Sequence, residues 1–300
     1  MLYGLKDKIR RVRFAAQCSA VLRTSPISLD SSSELALLSQ LQHKDVLMYL
    51  VALKSFARRI KPRTVFVLSD GSLDARDREI IREHIPGVTM LELTSFRSAA
   101  CPTGGCWERL LAISSLVADF YVIQLDSDTL TVGPIAEVRN CVDRRSAFAL
   151  GTWDNQDFEP MSERAETAAK LRPTATAHVQ LVAEANLDKL DDFRSLRYVR
   201  GCAGFAGFPR GSFTRRFVED ISAQMHAALG NKWADWGSEQ VMSNIVVANA
   251  AHAVVLPHPK YADCHKMKLG ETEFIHFIGS CRFDNGTYAR LAKRVIDADR

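Results

Sequence analysis

The chain lacks any apolar run close to the ~20 residues that a membrane-spanning helix needs. No export signal is expected either. The N-terminal MLYGLKDKIRRVRFAAQCSAVLR has bases followed by a short apolar run, but Gln17 and Cys18 interrupt that run and Arg23 closes it. None of the seven scattered cysteines forms a Cys-x-x-Cys pair, so reduced thiols in a cytoplasmic protein are expected. Cys101 and Cys106 in CPTGGC could be a local redox pair or half a zinc site. No second ligand pair has zinc-like spacing, which favours two small loop residues. Charge of one sign is also scarce. A formal +4 on 300 residues suits an anionic substrate and does not call for nucleic acid. The basic stretch 6–13 admits at most peripheral contact with the inner face of an anionic membrane, against the plainer reading of a solvated helix face. A GxGxxG fingerprint, a lysine-containing phosphate loop, internal repeats and low-complexity tracts are all absent.

What is present is ordinary for a globular chain, with 47% hydrophobic and 25% charged residues. The most informative stretch is 120–133, FYVIQLDSDTLTVG. Its first six residues carry one polar side chain, Gln124, and read as a strand buried on both faces. Asp126 and Asp128 follow at once. Carboxylates at the end of a buried strand are costly to desolvate without a cation or donors. In open α/β sheets, ligands bind at the carboxyl ends of strands. Asp126 and Asp128 are therefore candidate oxygen ligands of a metal.

Taken in order, 15–23 reads as a first strand and 24–33 as a loop. Helices are expected at 46–60, 74–85 and 107–119, with strands at 64–69 and 88–93. This alternation predicts an α/β fold with a Rossmann-like, mostly parallel sheet flanked by helices, in a single domain over 1–300. Arg109 sits in the first turn of the 107–119 helix, where the dipole disfavours a cation; a nearby anion or plain exposure beside Glu108 would each account for it. A strand over 146–152 ends at Trp153-Asp154, and 155–198 is polar helical and loop material. The glycine-rich 201–209, GCAGFAGFP, suggests close backbone approach to a ligand. Ser212 is expected to cap a helix running to Leu229, with Phe213, Phe217, Ile221 and Leu229 on one side. A further helix starts near Ser238, and strands are expected at 254–256 and 273–278. His276 lies in the last of these, where an ordinary core histidine is the common alternative to a ligand. An amphipathic basic helix closes the chain.

These residues resemble, in order, the motifs of the metal-dependent GT-A glycosyltransferases, most closely family 8 and its relatives. Trp107-Glu108-Arg109-Leu110 precedes the pair Asp126-Ser127-Asp128, which is followed by Thr-Leu-x-Val-Gly-Pro-Ile. Ala203-Gly204-Phe205 resembles the family's Asn-Ser-Gly stretch, and His276-Phe277-Ile278-Gly279 with Arg282 its His-x-x-Gly-x-x-Lys element. Glu239-Gln240, followed by Asn244, looks like the Asp-Gln between them. Arg282 replaces the lysine, Glu239 the aspartate and Ala203 a polar residue, and 155–198 matches no motif.

The resemblance implies a nucleotide and metal half over about 15–135, an acceptor half over about 136–285 and a terminal helix over 286–300. It implies a metal held by Asp126, Asp128 and His276. Two carboxylates and an imidazole suit Mn²⁺, with Mg²⁺ as the all-oxygen alternative. The donor would be a nucleoside-diphosphate sugar, a UDP-sugar in the first instance, and the acceptor a glycan, lipid or protein. Arg109 and Arg282 would neutralise phosphate charge. Asp70 would accept from a pyrimidine N–H, against the alternative of an ordinary Asp-Gly turn. Thr24 would lie near the base, and Ser127 and Gly279 on the nucleotide side. Asp154, Ala203, Gly204, Glu239 and Gln240 would surround the sugar, with Gln240, Glu239 and Asp154 closest to the chemistry. Retention of anomeric configuration is expected on the resemblance; Glu239 as a carboxylate base would instead suit inversion. By analogy alone, a role in polysaccharide or lipid-linked glycan assembly follows.

Two rivals share these features. A phosphatase of the haloacid dehalogenase type also carries D-x-D after a buried strand, but Thr129 comes one place early and no later strand ends in Gly-Asp-x-x-x-Asp. A non-catalytic nucleotide- or protein-binding module on the same fold would have no need of Asp126, Asp128, His276 and Arg282 together.

Overall fold

The computed structural model describes residues 2–298, with the side chains of residues 2–8 and 280 left aside. The chain is α/β, with a mostly parallel main sheet flanked by helices. It opens with α1 (Leu2–Cys18), β1 (Leu35–Leu41), α2 (Val46–Ala57), β2 (Thr64–Ser69), α3 (Ala75–His84) and β3 (Thr89–Glu92). Next come α4 (Trp107–Leu116), β4 (Tyr121–Leu125), β5 (Thr129–Thr131), α5 (Ala136–Arg144) and β6 (Phe148–Leu150). The polar stretch contains β7 (Glu159–Pro160), α6 (Met161–Lys170), α7 (Val179–Glu184) and β8 (Arg197–Tyr198). The remainder is β9 (Cys202–Phe208), α8 (Arg215–Leu229), α9 (Ser238–Asn249), β10 (Val254–Val255), β11 (Tyr261–Asp263), β12 (Phe274–His276) and α10 (Thr287–Asp297). Residues 299–300 of the expected terminal helix lie outside the described residues. No described helix is long and apolar enough to cross a membrane.

Two compact units emerge. The first comprises Met1–Leu91, Leu125–Arg139 and Pro259–Arg300. In it β1 and β2 pair in parallel, from Ala36 opposite Thr64 to Leu41 opposite Ser69. Six of the seven residues of β1 are buried, as a strand covered on both faces requires. Every residue of α2 but Leu47 is buried, so this helix lies inside the unit and has no solvent stripe. A small sheet, β11-β12-β5, pairs β11 with β12 in parallel and β12 with β5 antiparallel.

The second unit comprises Glu92–Gln124 and Asn140–His258. Here β6 pairs with β10 in parallel and with β9 antiparallel. Trp107 of α4 and Trp233 pack edge to face at 5.5 Å and are fully buried.

Several expectations need correction. Residues 15–23 are not a strand: they complete α1 and a 3-10 turn, Ser19–Arg23. Phe14, Cys18 and Val21 are buried at helical spacing, and that spacing outweighed the short apolar run. The true first strand, LALLSQL, falls in the stretch after the expected loop. The glycine-rich 202–208 is itself a strand, β9. A Cβ on Gly207 would sit 2.2 Å from a Phe148 ring atom and 2.6 Å from the Tyr121 hydroxyl. There the missing side chain makes room for neighbours in the protein. The cap of α8 is Thr214, whose hydroxyl accepts from Phe217 N at 3.2 Å; Ser212 lies outside the helix. Its buried face is Val218, Ile221, Ser222 and Met225, offset from the apolar residues expected. Finally, Cys264 and Cys281 are joined as a disulfide, their Cα atoms 6.2 Å apart, where reduced thiols were expected.

Candidate functional site

The first unit gathers the candidate metal ligands. Asp126 and Asp128 follow β4, and a tight turn carries the chain into β5: Thr129 donates to the Asp126 carbonyl from its hydroxyl (2.8 Å) and its N–H (3.3 Å). The antiparallel register of β5 with β12 sets His276 opposite Thr129. Phe277 N–H donates to the Asp128 carbonyl at 2.8 Å, which locks the register beside the aspartates. As a result His276 Nε2 lies 3.1 Å from Asp128 Oδ1 and 3.8 Å from Asp126 Oδ2. One nitrogen thus faces both carboxylates, and the three donor atoms fall within 4.8 Å of one another.

Arg282 closes the cluster. It stands on the 3-10 segment Gly279–Gly286, which Gly279 enters at a φ of 45°. Its Nε donates to the Phe277 carbonyl at 3.1 Å, and its Nη2 donates to Asp128 Oδ2. Asp128 is buried; burial pushes its carboxyl up, but His276 and Arg282 outweigh this and hold it below the usual carboxylate range. Two oxygen donors and one imidazole, converging in a buried setting, fit a divalent ion such as Mn²⁺. The Cys264–Cys281 disulfide is built into the same corner: Cys281 precedes Arg282, and Cys264 N–H donates to the His276 carbonyl at 2.9 Å.

Two further residues border the cluster. Asp45, buried and just beyond β1, is paired with Arg11 at 2.8 Å. Burial raises its carboxyl, opposed by Arg11 and then Arg282, while Asp128 adds to the rise. Tyr288 stacks on Phe277 at 4.0 Å, and its buried hydroxyl has no hydrogen-bond partner. Neither was foreseen. The signal for Asp45 was a strand followed by Gln-His-Lys-Asp, legible only with β1 placed correctly.

Other first-unit candidates stand elsewhere. Asp70 follows β2, and its Oδ1 accepts from Ser72 N–H at 2.9 Å and from Ser72 Oγ at 2.5 Å, the ordinary Asx turn. Thr24, expected at a strand edge, instead follows a 3-10 turn and donates back to the Val21 carbonyl at 2.7 Å. Ser127 is half-buried between the aspartates. His43, Asp74 and Asp77 form a second histidine–carboxylate group, with His43 Nδ1 2.7 Å from Asp77 Oδ2. Both of its acids are engaged in capping α3.

The second unit holds the candidates of the sugar side. Arg109 of α4 and Glu239 of α9 form an ion pair at 3.3 Å with both side chains at most 6% exposed. Ser243 donates to Glu239 Oε1 at 2.8 Å. Arg109 and Glu239 were assigned separate tasks; the fold couples them. Gln240 donates to Gln180 Oε1 at 3.2 Å, and Asn244 Oδ1 accepts from Gly201 N–H at 3.2 Å. Ala203 and Gly204 lie inside β9. Asp154 is exposed after β6 and accepts from Asn155 N–H at 3.0 Å.

No protein-family model matches the chain, and no curated protein sequence matches it. Among solved structures it is similar to the bifunctional glycosyltransferase WbbM in its apo form, with 12% identity over 90% of this chain and 53% of that one, at a TM-score of 0.48. This chain therefore spans about half the length of WbbM. It is similar to core-mannan synthase A from Aspergillus fumigatus in its Mn/GDP form, at 11% identity over 91% and 86% of the two chains and a TM-score of 0.47. It is also similar to the galactosyltransferase LgtC in complex with donor and acceptor sugar analogues, at 11% identity over 86% and 95% and a TM-score of 0.42.

Proposed function

We propose that this chain is a metal-dependent glycosyltransferase of the GT-A type that moves a sugar from a nucleoside-diphosphate sugar, a UDP-sugar in the first instance, to an acceptor hydroxyl with retention. The observation that carries this reading is the convergence of Asp126, Asp128 and His276 within 4.8 Å, with Arg282 on the same carboxylate. In the reaction the bond from the anomeric carbon to the phosphate oxygen breaks and the diphosphate keeps its electron pair. A bond from that carbon to the acceptor oxygen forms, and the acceptor hydroxyl gives up its proton to the departing phosphate oxygen. Asp126, Asp128 and His276 would hold the ion, which when bound supplies Lewis-acid stabilisation of the charge growing on the diphosphate.

The chain's own groups have distinct tasks in this reading. His276 offers Nε2 as a neutral donor. Arg282 presents a planar fork suited to phosphate oxygens, a geometry that the lysine it replaces would not offer. Gly279 lets the backbone turn before it. Ser127, between the two aspartates, is assigned to the nucleotide side; Asp70 and Thr24 are assigned there on the resemblance alone, each being engaged in a local turn. Gln240, Ala203 and Gly204 are assigned to the sugar by motif order, and Asp154 by its place after the strand over 146–152. Glu239 is already committed to Arg109 and Ser243, which makes it a poor free base and supports retention over inversion.

Calorimetric titration of UDP into the protein, with and without Mn²⁺, on wild type and Asp128→Ala, tests the reading. Binding that requires Mn²⁺ and is lost in the variant is expected, followed by turnover of UDP-sugars. If only GDP binds, uridine is replaced by guanosine in the account. Metal-independent binding without turnover would support the non-catalytic module. Product stereochemistry decides between retention and inversion.

A further inference from the structure

Basic residues are concentrated on two packed helices of the first unit. Helix α1 carries five Lys or Arg against one Asp, and α10 three against one. The pair thus holds a formal +6, more than the +4 of the entire chain, so the remaining sequence is net acidic. The helices are pinned together by Phe14 of α1, whose ring lies 4.5 Å from that of Tyr288 in α10.

On α1 the buried and exposed residues separate by helical spacing. Phe14 and Cys18 are buried. Ile9, Val12 and Ala16 recur on the opposite side, with Ile9 57% and Val12 64% exposed. Arg13 borders that outer side, and Arg10 lies beyond Arg13, next to the buried face of Phe14. Arg13 has no carboxylate partner among the described residues. Arg10 faces Asp284 at 3.6 Å with both side chains about half exposed, a pairing of little energetic weight. Arg10, Arg13, Phe14 and Gln17 line a cavity of about 340 Å³ together with Phe283 and Tyr288.

Branched apolar side chains held in water with an arginine flank to one side describe a helix that lies in a lipid interface. The apolar residues enter the acyl boundary, and the bases meet headgroup phosphates. A nucleic-acid backbone would satisfy the arginines but give Ile9 and Val12 nothing to bury against. We propose that the outer face of α1, with the adjoining Arg10–Arg13 cavity, docks on an anionic phospholipid bilayer, the cavity receiving a headgroup phosphate.

The test is flotation of the full chain with vesicles of phosphatidylcholine containing about one-third phosphatidylglycerol, compared with phosphatidylcholine alone. Binding to the anionic vesicles and its loss at about 0.5 M salt are expected. Arg10→Gln/Arg13→Gln should lower the partition roughly 25-fold, on the order of fivefold for each base near the surface. Val12→Asp should lower it as well. These side chains are exposed, so all variants should keep the wild-type melting temperature. Equal partition onto neutral vesicles, no partition at low salt, or partition unmoved by both variants would overturn the proposal. So would saturable binding of inorganic phosphate without vesicle binding, or tighter retention on DNA than on vesicles.

Discussion

Arg109 and Glu239 form an ion pair at 3.3 Å from which solvent is almost wholly excluded. Removing one member of such a pair strands the other, whereas removing both need not be costly. Arg109→Met should therefore destabilise the protein by about 3–5 kcal/mol in denaturant unfolding. The double variant Arg109→Met/Glu239→Met should recover most of that loss. A single variant costing under about 1 kcal/mol would show that the pair is not desolvated as found.

Asp128 is the residue on which His276 and Arg282 converge, so Asp128→Asn should weaken Mn²⁺ binding by far more than about tenfold, the loss typical of removing a mere supporting contact to a ligand. The paramagnetic resonance signal of free Mn²⁺ reads this directly. An unchanged affinity would remove Asp128 from the ligand set.

Gly207 has no room for a methyl group between Phe148 and Tyr121. Gly207→Ala should cost about 1–3 kcal/mol through overpacking. Thermal or denaturant unfolding checks it, with Gly211→Ala as a contrast: that position is open but has a φ of 70°, so its cost would come from the backbone.

The Cys264–Cys281 bridge closes a 17-residue separation, and on chain-entropy grounds its reduction should cost about 3 kcal/mol. Alkylation under denaturing conditions without reductant should leave these two cysteines unmodified. Reduction should lower the unfolding midpoint, and Cys281→Ser should reproduce that loss and be insensitive to reductant.

His43 is hydrogen-bonded to Asp77, and that bond, with the Asp77 charge, raises its pKa above the ordinary 6.5. A folded-state pKa above the unfolded one contributes stability that is fully present below about pH 6.5 and is lost as pH rises through the folded value. His43→Gln should flatten the pH dependence of stability in that window. NMR titration of the imidazole should give a pKa above 6.5, and a value at or below it would contradict the arrangement.

The parts legible in the sequence were those coded locally. The run before Asp126 is a buried strand because six neighbouring residues are almost all apolar; α2, α4 and α9 follow from length and apolar content, and α3 from its Asp74 cap. The misreadings arose where two local signals competed. Alanine, cysteine and valine over 15–23 fit a short strand as well as the end of an amphipathic helix, and only Phe14, Cys18 and Val21 packing inward decided for the helix. That error displaced β1 and hid Asp45. In 201–209 the glycines suggested close backbone approach to a ligand, and at Gly207 the close approach is by Phe148 and Tyr121, as a glycine in a strand can mark crowding by neighbours.

By itself the sequence determined the residue types of the candidate centre, their order along the chain and the α/β alternation, because composition and periodicity act over a few turns of chain. Tertiary structure alone decided which of those residues meet. Antiparallel pairing of β5 with β12 brings His276 to Asp128 across 148 positions, and helix packing turns Arg109 onto Glu239 across 130. Strand register and burial are properties of the folded chain. A carboxylate that must be desolvated is stable only beside whichever cation the fold delivers.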